Sequence, residues 1–549
     1  MSLRFIAISG TTAVTENLYV YEYDNDMIIV DCGVGFPETE MYGVDLVIPD
    51  FTYVLENKSK LRGILISHGH EDHIGALPFL LKQVQAPIYA TKLVAGFLED
   101  KFLDYKVPVP RINVFDPMRD TIALGVFKIN PFGVSHSVPD GVGYAIDTPE
   151  GKVFHVADYK FDWTPVSGEP FDVAKAASLA SGGVLMLASD CLGSTTAGYT
   201  VSESKIESKI EGIVGGTRGK VLFTTISSNV SRIQQALNVS QKTGRKVIFI
   251  GRSIEKKTEI AKRLGFLYYD TNLVISPKRA SSLPQARLMY IIAGSYGQIG
   301  SSLYRVATGE HNLLSIKQGD AVIFSSDPAP PGTKENVDYV VDRLFELGAD
   351  VSYYDIQEDM HVSGHGSQED IKMLFGLTKP KYFVPIGGTV RHMRAFSLLA
   401  QSMGAKQNQV FELKTGEVIE FKEGLARIVG RVPSNPVLVD GLGVGDVGNI
   451  VLRDRQVLAK DGIAIILLQF NKQEGALMTD PEIISRGFVY EGGERDFLKE
   501  SAKKLRHQIE TKNKANAKRI RDITIDFLER YFYEKTGRRP MVLPVVVEV

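Results

Sequence analysis

"ISHGHEDHIGALP", from Ile66 to Pro78, places three histidines and two carboxylates in the six positions from His68 to His73. Only ten histidines occur in the 549 residues, so this is a concentration and not background. The stretch follows the apolar run "LRGILIS", which reads as a buried strand, and the glycine at position 69 is expected to let the following turn tighten. Imidazole nitrogens and carboxylate oxygens bind Zn²⁺ at about 2.0 to 2.2 Å. Four candidate ligands, His68, His70, Asp72 and His73, are more than one open catalytic ion takes from so short a segment, and they imply two cations.

The surrounding chain alternates apolar runs with turn residues. "NLYVYEYD", "MIIVDCG", "APIYAT", "GYAIDTP", "KVFHVAD" and "GGVLMLASD" read as strands, several ending in ionisable residues where side chains can converge. Stacked sheets covered by helices are expected over residues 1–198. From Tyr199 the pattern changes to strand, helix, strand, helix: "GKVLFTTIS", "SNVSRIQQALNVSQKTG", "RKVIFIG", "RSIEKKTEIAKRLG", "LMYIIAGS" and "DAVIFSSDPAP". Apolar runs separated by amphipathic segments imply βαβ units and a parallel sheet, here over residues 199–365. Strand-rich character returns over 366–433. The Pro-, Gly- and Asp-rich "RVPSNPVLVDGLGVGDVG" then marks a boundary near Ser434, before a unit with the strand "GIAIILLQF", one long charged helix from Arg495 to Glu534, and the strand "MVLPVVVEV".

"HGHEDH" resembles the HxHxDH signature of the metallo-β-lactamase superfamily, and the later pieces follow in order: "GVSHSVPDGVGYAID" contains His136 and "VFHVADYKFDWTP" contains Asp158. The resemblance implies an αββα sandwich in which His68, His70 and His136 hold one metal, Asp72 and His73 hold the other, and Asp158 bridges them. The middle region resembles the β-CASP insertion that makes this hydrolase fold a nuclease. "LASDCLG" there supplies the acidic residue Asp190, and "HVSGHGS" supplies His361, Val362, Ser363, Gly364 and His365 as a substrate-binding segment. "FPETEMYGVDLVIPDFTYVLEN", "GRSIEK", "GVGDVGNIVLRD", "PEIISRGFVY" and "RRPMVLPVVVEV" are similar to bacterial ribonuclease J, so the resemblance covers nearly the whole chain.

That resemblance implies RNA degradation and maturation, 5′-to-3′ exonucleolytic and also endonucleolytic, in mRNA decay and rRNA processing. It implies two Zn²⁺ per subunit with Mn²⁺ as a substitute, a small C-terminal α+β domain for homodimers or homotetramers, and a place in an RNA degradation complex. It also implies a structural Ca²⁺ near "MYGVDLV", with Asp45 and Asp440 as ligands. Two-metal chemistry fits phosphodiester hydrolysis, with Asp72 or Asp158 accepting a proton from water. His365 would hydrogen-bond the scissile phosphate or protonate the leaving oxygen, and Asp190 would support the chemistry.

"TISSNVSR" and "IGRSIEKK" each end a strand and open a helix, where free backbone N–H groups favour anions, so Ser228, Asn229, Arg252 and Ser253 are candidates for holding a 5′-monophosphate or the RNA backbone. The competing assignment is ordinary helix capping. Nine Lys or Arg against Glu500 and Glu510 between Lys499 and Arg521 either steer RNA or form a solvated or subunit-docking face.

The chain departs from the family at three places. Gly387 stands in "FVPIGGTVRHM" where many members have a histidine completing the second metal shell, and Thr389 stands where glutamate is common. A weaker second metal is implied, with His392 or solvent as the replacement. "SGTTAVTEN" replaces a glycine-rich, glutamate-containing turn but keeps Asn17, and "AGSYGQIG" lacks the usual acidic residue. A nuclease preferring DNA, or a weakly active or scaffold subunit of a ribonuclease J assembly, therefore stay open beside the leading reading.

Composition bounds the partners. Hydrophobic residues make up 44% and charged residues 23%, and no apolar run approaches the roughly 18 to 20 residues of a membrane span. The net charge is −2, so any grip on a polyanion must be local. Cys32 and Cys191, far apart and in no CxxC pattern, fit neither a disulfide framework nor a cysteine zinc site, and point to a reducing cytoplasm.

Overall fold

The computed structural model describes residues 1–38, 40–326, 333–353, 362–441, 443–471, 476–488, 494–511 and 516–548. They divide into two compact units, Met1–Glu38 with Leu46–Val437, and Thr39–Asp45 with Leu438–Val549.

In the first unit, among the described residues, an eight-stranded and a six-stranded sheet lie face to face. The first runs in the order Leu425–Arg431, Glu417–Lys422, Leu3–Ser9, Leu18–Tyr23, Asp26–Val30, Leu61–Leu65, Ile88–Ala90 and Ile112–Val114. The second runs Pro380–Ile386, Val184–Asp190, Gly151–Val156, Gly141–Thr148, Phe127–Val134 and Ile122–Leu124. Strands such as Asp26–Val30 and Val184–Asp190 are apolar on both faces because both faces are covered. Between the sheets, Phe5, Tyr21, Ile28 and Leu65 meet Ile129, Tyr144, Met186 and Ile386. The outer face of the second sheet buries Phe132, Phe154 and Phe383 under the helices Val173–Ala180, Gln368–Thr378 and Val390–Ser402. Full burial of each such side chain contributes about 1.5–3 kcal/mol.

A parallel five-stranded sheet, ordered Lys246–Ile250, Leu288–Ile292, Val221–Thr224, Ala321–Phe324 and Asp350–Ser352, forms the inserted lobe. Its helix Arg252–Leu264 begins at Gly251, whose φ of 113° few other residues adopt, and buries Ile254, Thr258 and Ala261 on one face. This helix lies along Lys92–Asp104 of the sandwich. Lys256 Nζ reaches Asp100 Oδ1 at 2.9 Å and Asp104 Oδ1 at 2.6 Å, and a Cβ at Gly96 would stand 2.8 Å from Ile260 and Leu264. Such close approach makes the lobe and the sandwich one compact unit.

In the second unit the central strand Ile463–Asn471 pairs antiparallel with Glu482–Arg486 and parallel with Met541–Glu548. The expectation of one long helix from Arg495 to Glu534 is corrected: two helices form, Glu494–Glu510 and Ala517–Thr536. Leu505 and Ile509 of the first and Ile520, Leu528 and Phe532 of the second enter one cluster over Ala464, Ile466 and Leu468, which a single straight rod would not allow. Asn516 restarts the chain by accepting a hydrogen bond from Arg519 N at 2.9 Å. Within the basic run, Lys504 pairs with Glu500 at 2.7 Å and Arg506 with Glu510 at 2.7 Å, so part of that charge is spent along the helix itself.

Candidate metal centre and active site

The histidine-rich loop is moulded on the end of a neighbouring strand. After Asp26–Val30 the chain turns through Asp31 to Val34, and Cys32 N donates to His73 O at 2.8 Å while Val34 N donates to Glu71 O at 3.1 Å. Gly33 is required by close approach, because a Cβ there would stand 1.5 Å from Asp72 O. Asn17 closes the arrangement, its Nδ2 donating to Asp72 O at 3.1 Å and its backbone N donating to the same carbonyl. Gly69 acts otherwise than expected. It is absent from the positive-φ glycines, and its missing Cβ makes room for the Phe97 ring.

Six residues anticipated as ligands come together in two groups sharing Asp158: His68, His70, His136 and Asp158, and Asp72, His73 and Asp158, with donor atoms of each group within 4.8 Å of one another. The donor chemistry fits cations. His68 Nε2 and His136 Nε2 each lie 3.1 Å from His70 Nδ1, and Asp158 lies 3.5 Å from His68 and His136 and 3.4 Å from His73. The outward nitrogens are all engaged. His73 Nδ1 donates to Asp31 Oδ2 at 2.8 Å, and His136 Nδ1 donates to Gly364 O at 2.7 Å. Ser67 Oγ gives its proton to Asp31 Oδ2 at 2.7 Å, so it accepts from His68 Nδ1 at 3.0 Å, and His70 Nε2 faces Ser137 Oγ at 3.3 Å. Those bonds occupy the outer nitrogen of each ring and leave the inner nitrogens of four imidazoles gathered around Asp158, the arrangement expected of metal-ligating imidazoles.

The electrostatics agree. Burial drives His68 and His136 well below the usual histidine range, so both stand as neutral donors. Burial opposes charge on His73 too, but Asp158, Asp72 and Asp31 outweigh it and raise the ring well above that range. Asp158 is raised by burial, yet His73, His365 and His68 hold it well below the carboxylate range.

His365 stands beside this pair of groups. Its Nδ1 donates to Asp190 Oδ2 at 2.7 Å and its Nε2 lies 3.8 Å from Asp158 Oδ2, and these three residues form a further group of close donor atoms. Burial pushes Asp190 up from the ordinary carboxylate value although His365 pulls the other way. Gly364 touches the centre through its carbonyl, and a Cβ there would meet the His136 ring at 2.5 Å. Ser363 Oγ accepts from His365 N at 3.0 Å, Val362 is half-buried beside them, and His361 lies outside the described residues.

Other expected residues are placed differently. Asn229 caps helix Val230–Lys242 by accepting from Arg232 N at 2.9 Å, and both it and Ser228 are buried, whereas Arg252 and Ser253 are exposed at the start of their helix. His392 belongs to neither ligand group. Its Nδ1 accepts from Thr389 N at 3.2 Å, which makes it the capping partner of helix Val390–Ser402. Gly387 has φ 66°, and a Cβ there would lie 3.5 Å from Asp190 Oδ1. In the second unit Asp45 accepts from Gly441 N at 2.7 Å and Asp440 pairs with Arg455 at 2.5 Å; among the described residues no group of three potential ligands includes either.

Asp31 is a functional residue that sequence reasoning missed. It is fully buried, has φ 62°, and binds Ser67 N, Ser67 Oγ and His73 Nδ1, thereby orienting two imidazoles. Its one signal was its place at the end of the strand "MIIVD". Asp31→Ala is expected to weaken metal affinity by about 10- to 100-fold, measured by competition with a chromophoric chelator. Glu71 was also missed. Lys101 and Lys257 hold its carboxyl down at about 2 against burial, which ties the loop to the inserted lobe.

Family models match along the chain: "Metallo-beta-lactamase superfamily" over residues 11–185, "Ribonuclease J, beta-CASP domain" over 218–344, "Zn-dependent metallo-hydrolase RNA specificity domain" over 355–411 and "Ribonuclease J C-terminal domain" over 450–549. Ribonuclease J2 of Bacillus subtilis (strain 168) is 36% identical, covering 100% of this chain and 99% of that protein. Ribonuclease J 1 of Streptococcus pyogenes is 36% identical over 98% and 97%, and ribonuclease J 2 of Staphylococcus aureus is 34% identical over 100% and 98%. A solved Enterococcus faecalis V583 protein of unknown function shares the fold with a TM-score of 0.52 at 14% identity, covering 76% of this chain and 100% of its own. With full-length relatives above 30% identity and these domain matches in order, the chain belongs to the ribonuclease J family, metal-dependent ribonucleases of the metallo-β-lactamase superfamily.

Proposed function

We propose that this ribonuclease hydrolyses RNA 5′-to-3′ from 5′-monophosphorylated ends, and also cleaves internally, using two cations held by the groups that share Asp158. The observation that carries the reading is the set of four imidazoles whose outer nitrogens are all hydrogen-bonded while their inner ones converge on one carboxylate. His68, His70, His136 and Asp158 would hold one cation and Asp72, His73 and Asp158 the other, Zn²⁺ by donor type with Mn²⁺ as substitute. When bound, the cations supply Lewis acidity toward the phosphodiester and toward water. Asp72, partly exposed at the rim, accepts the proton of the attacking water. His365, fixed by Asp190, presents Nε2 to the scissile phosphate and serves the leaving oxygen.

Arg252 and Ser253, exposed at a helix start, suit an RNA phosphate better than the buried Ser228 and Asn229 do. Three donors in the second group against four in the first support unequal metal affinities. A cytoplasmic homodimer or homotetramer acting in mRNA decay and rRNA maturation, within a degradation complex, completes the proposal. Among the described residues no helix is long and apolar enough to cross a membrane. The test is digestion of end-labelled RNA of matched sequence bearing 5′-monophosphate, 5′-triphosphate or 5′-hydroxyl, beside the matched DNA. Early release of the 5′ nucleotide from the monophosphate substrate, lost to a chelator and restored by Zn²⁺ or Mn²⁺, is expected; equal digestion of the DNA would contradict the substrate.

A further inference from the structure

Lys160 lies two residues past Asp158, and its side chain is 1% exposed. Its Nζ donates to Ser363 O at 3.1 Å and to Glu203 Oε1 at 3.2 Å, with Asp162 Oδ2 at 3.7 Å. Its backbone is tied twice to Ser135, next to His136: Lys160 N donates to Ser135 O at 2.9 Å, and Ser135 Oγ donates to Lys160 O at 2.6 Å. Glu203 extends the chain of contacts. Its N donates to Asp162 Oδ2 at 2.9 Å, its O accepts from Gln235 Nε2 at 2.6 Å, and its Oε2 pairs with Arg232 at 2.6 Å. Arg232, fully buried in the first turn of helix Val230–Lys242, also donates to Ser325 Oγ at 2.9 Å, just beyond strand Ala321–Phe324 of the inserted lobe.

Two cations and two carboxylates so enclosed are a poor device for stability alone, because desolvation offsets most of their attraction and an apolar set of the same volume would hold as well. Their geometric product is specific. The segment that receives Lys160 is the one that sets the active site: Ser363 O takes the ammonium, Gly364 O fixes the His136 tautomer, and His365 meets Asp190. The line of contacts therefore runs from the helix of the inserted lobe, through Arg232, Glu203 and Lys160, to His136 and His365, two of the histidines that face Asp158.

We propose that Lys160 is a positioning residue that holds the Ser363–His365 backbone against His136 and Asp190, and that Glu203 and Arg232 make this hold depend on the seating of the inserted lobe. The proposal rests on the reading of His365 as the phosphate-facing group. It predicts that breaking the link detunes turnover more than RNA affinity, since a displacement on the order of 1 Å at a reacting group costs about 10²-fold.

Lys160→Met keeps length and removes the charge and donor. In the full-length, metal-loaded protein, at a temperature where circular dichroism shows parent and variant equally folded, kcat on 5′-monophosphorylated RNA is expected to fall by at least about 30-fold, with KM changed by less than about threefold. Amide exchange of a peptide covering residues 363–367 should quicken while that of the remote strand Leu18–Tyr23 does not. A lower melting temperature with kcat within twofold of the parent and unchanged exchange at 363–367 would overturn the proposal. Should Lys160→Met fail to fold, Glu203→Gln, which keeps shape and every backbone bond, decides it: quickened exchange at 363–367 with lowered kcat supports the link, and no change in either refutes it. The exchange readout stands apart from the role of His365. If His365→Ala leaves kcat untouched, the underlying reading fails while exchange still reports on Lys160.

Discussion

Asp158→Ala is expected to remove bound metal and RNA hydrolysis together, lowering kcat/KM by at least about 10³-fold. Asp158 is the residue shared by both ligand groups, and it lies 3.4 to 3.5 Å from His68, His73 and His136. Without it the first group keeps three imidazoles and no anion, and the second keeps Asp72 and His73 alone. The loss should also be visible without substrate. A ligand at 100 times its dissociation constant stabilises the native state by about 2.7 kcal/mol, so the parent's melting temperature should drop on chelation while the variant's should not respond. A variant that retained two equivalents of metal after dialysis, or melted like the metal-loaded parent, would contradict the role given to Asp158.

The second large effect is expected at His365, with the opposite metal signature. His365→Ala leaves both ligand groups that share Asp158 intact, so metal content should match the parent while kcat falls by about 10²- to 10⁴-fold, the range for loss of a positioned proton donor. Asp190→Asn keeps the ring but gives Nδ1 a poorer acceptor, and should shift activity in the same direction with metal unchanged. Loss of metal in His365→Ala would instead place that imidazole among the ligands, through the group it forms with Asp158 and Asp190.

What could be read in the sequence follows the distance over which each interaction acts. His68, His70, Asp72 and His73 are spaced so that one turn and one short helix, Glu71–Ile74, bring them to a common point, and a local pattern encodes that fully. Strands such as Leu18–Tyr23, Lys246–Ile250 and Met541–Glu548 are equally local, since their apolar content exceeds what a loop would carry. His136 and Asp158 are different. Nothing in their own neighbourhoods points to a metal, and only the resemblance to a known family picked them out before the sheets were seen to bring them together.

Residues joined across the fold could not be read at all. Asp31 acts through His73, Glu71 through Lys101 and Lys257, and Lys160 through Ser363, each pairing made by segments far apart in the chain. Conversely, a helix start can be read in more than one way: Asn229, a candidate for an RNA phosphate, and His392, a candidate replacement metal ligand, both spend polar atoms on caps. The long charged helix failed for a related reason. Charge periodicity shows that a segment is helical, but the apolar residues that must cover one sheet from two directions decide where it stops.

The most direct test is anomalous diffraction at the zinc edge from crystals of the full-length protein grown with Zn²⁺. Two peaks are expected: one bonded to His68, His70, His136 and Asp158, and a second, of lower occupancy at limiting zinc, bonded to Asp72, His73 and Asp158. A centre with no peak there, or with one ion ligated by residues outside those two groups, would contradict it.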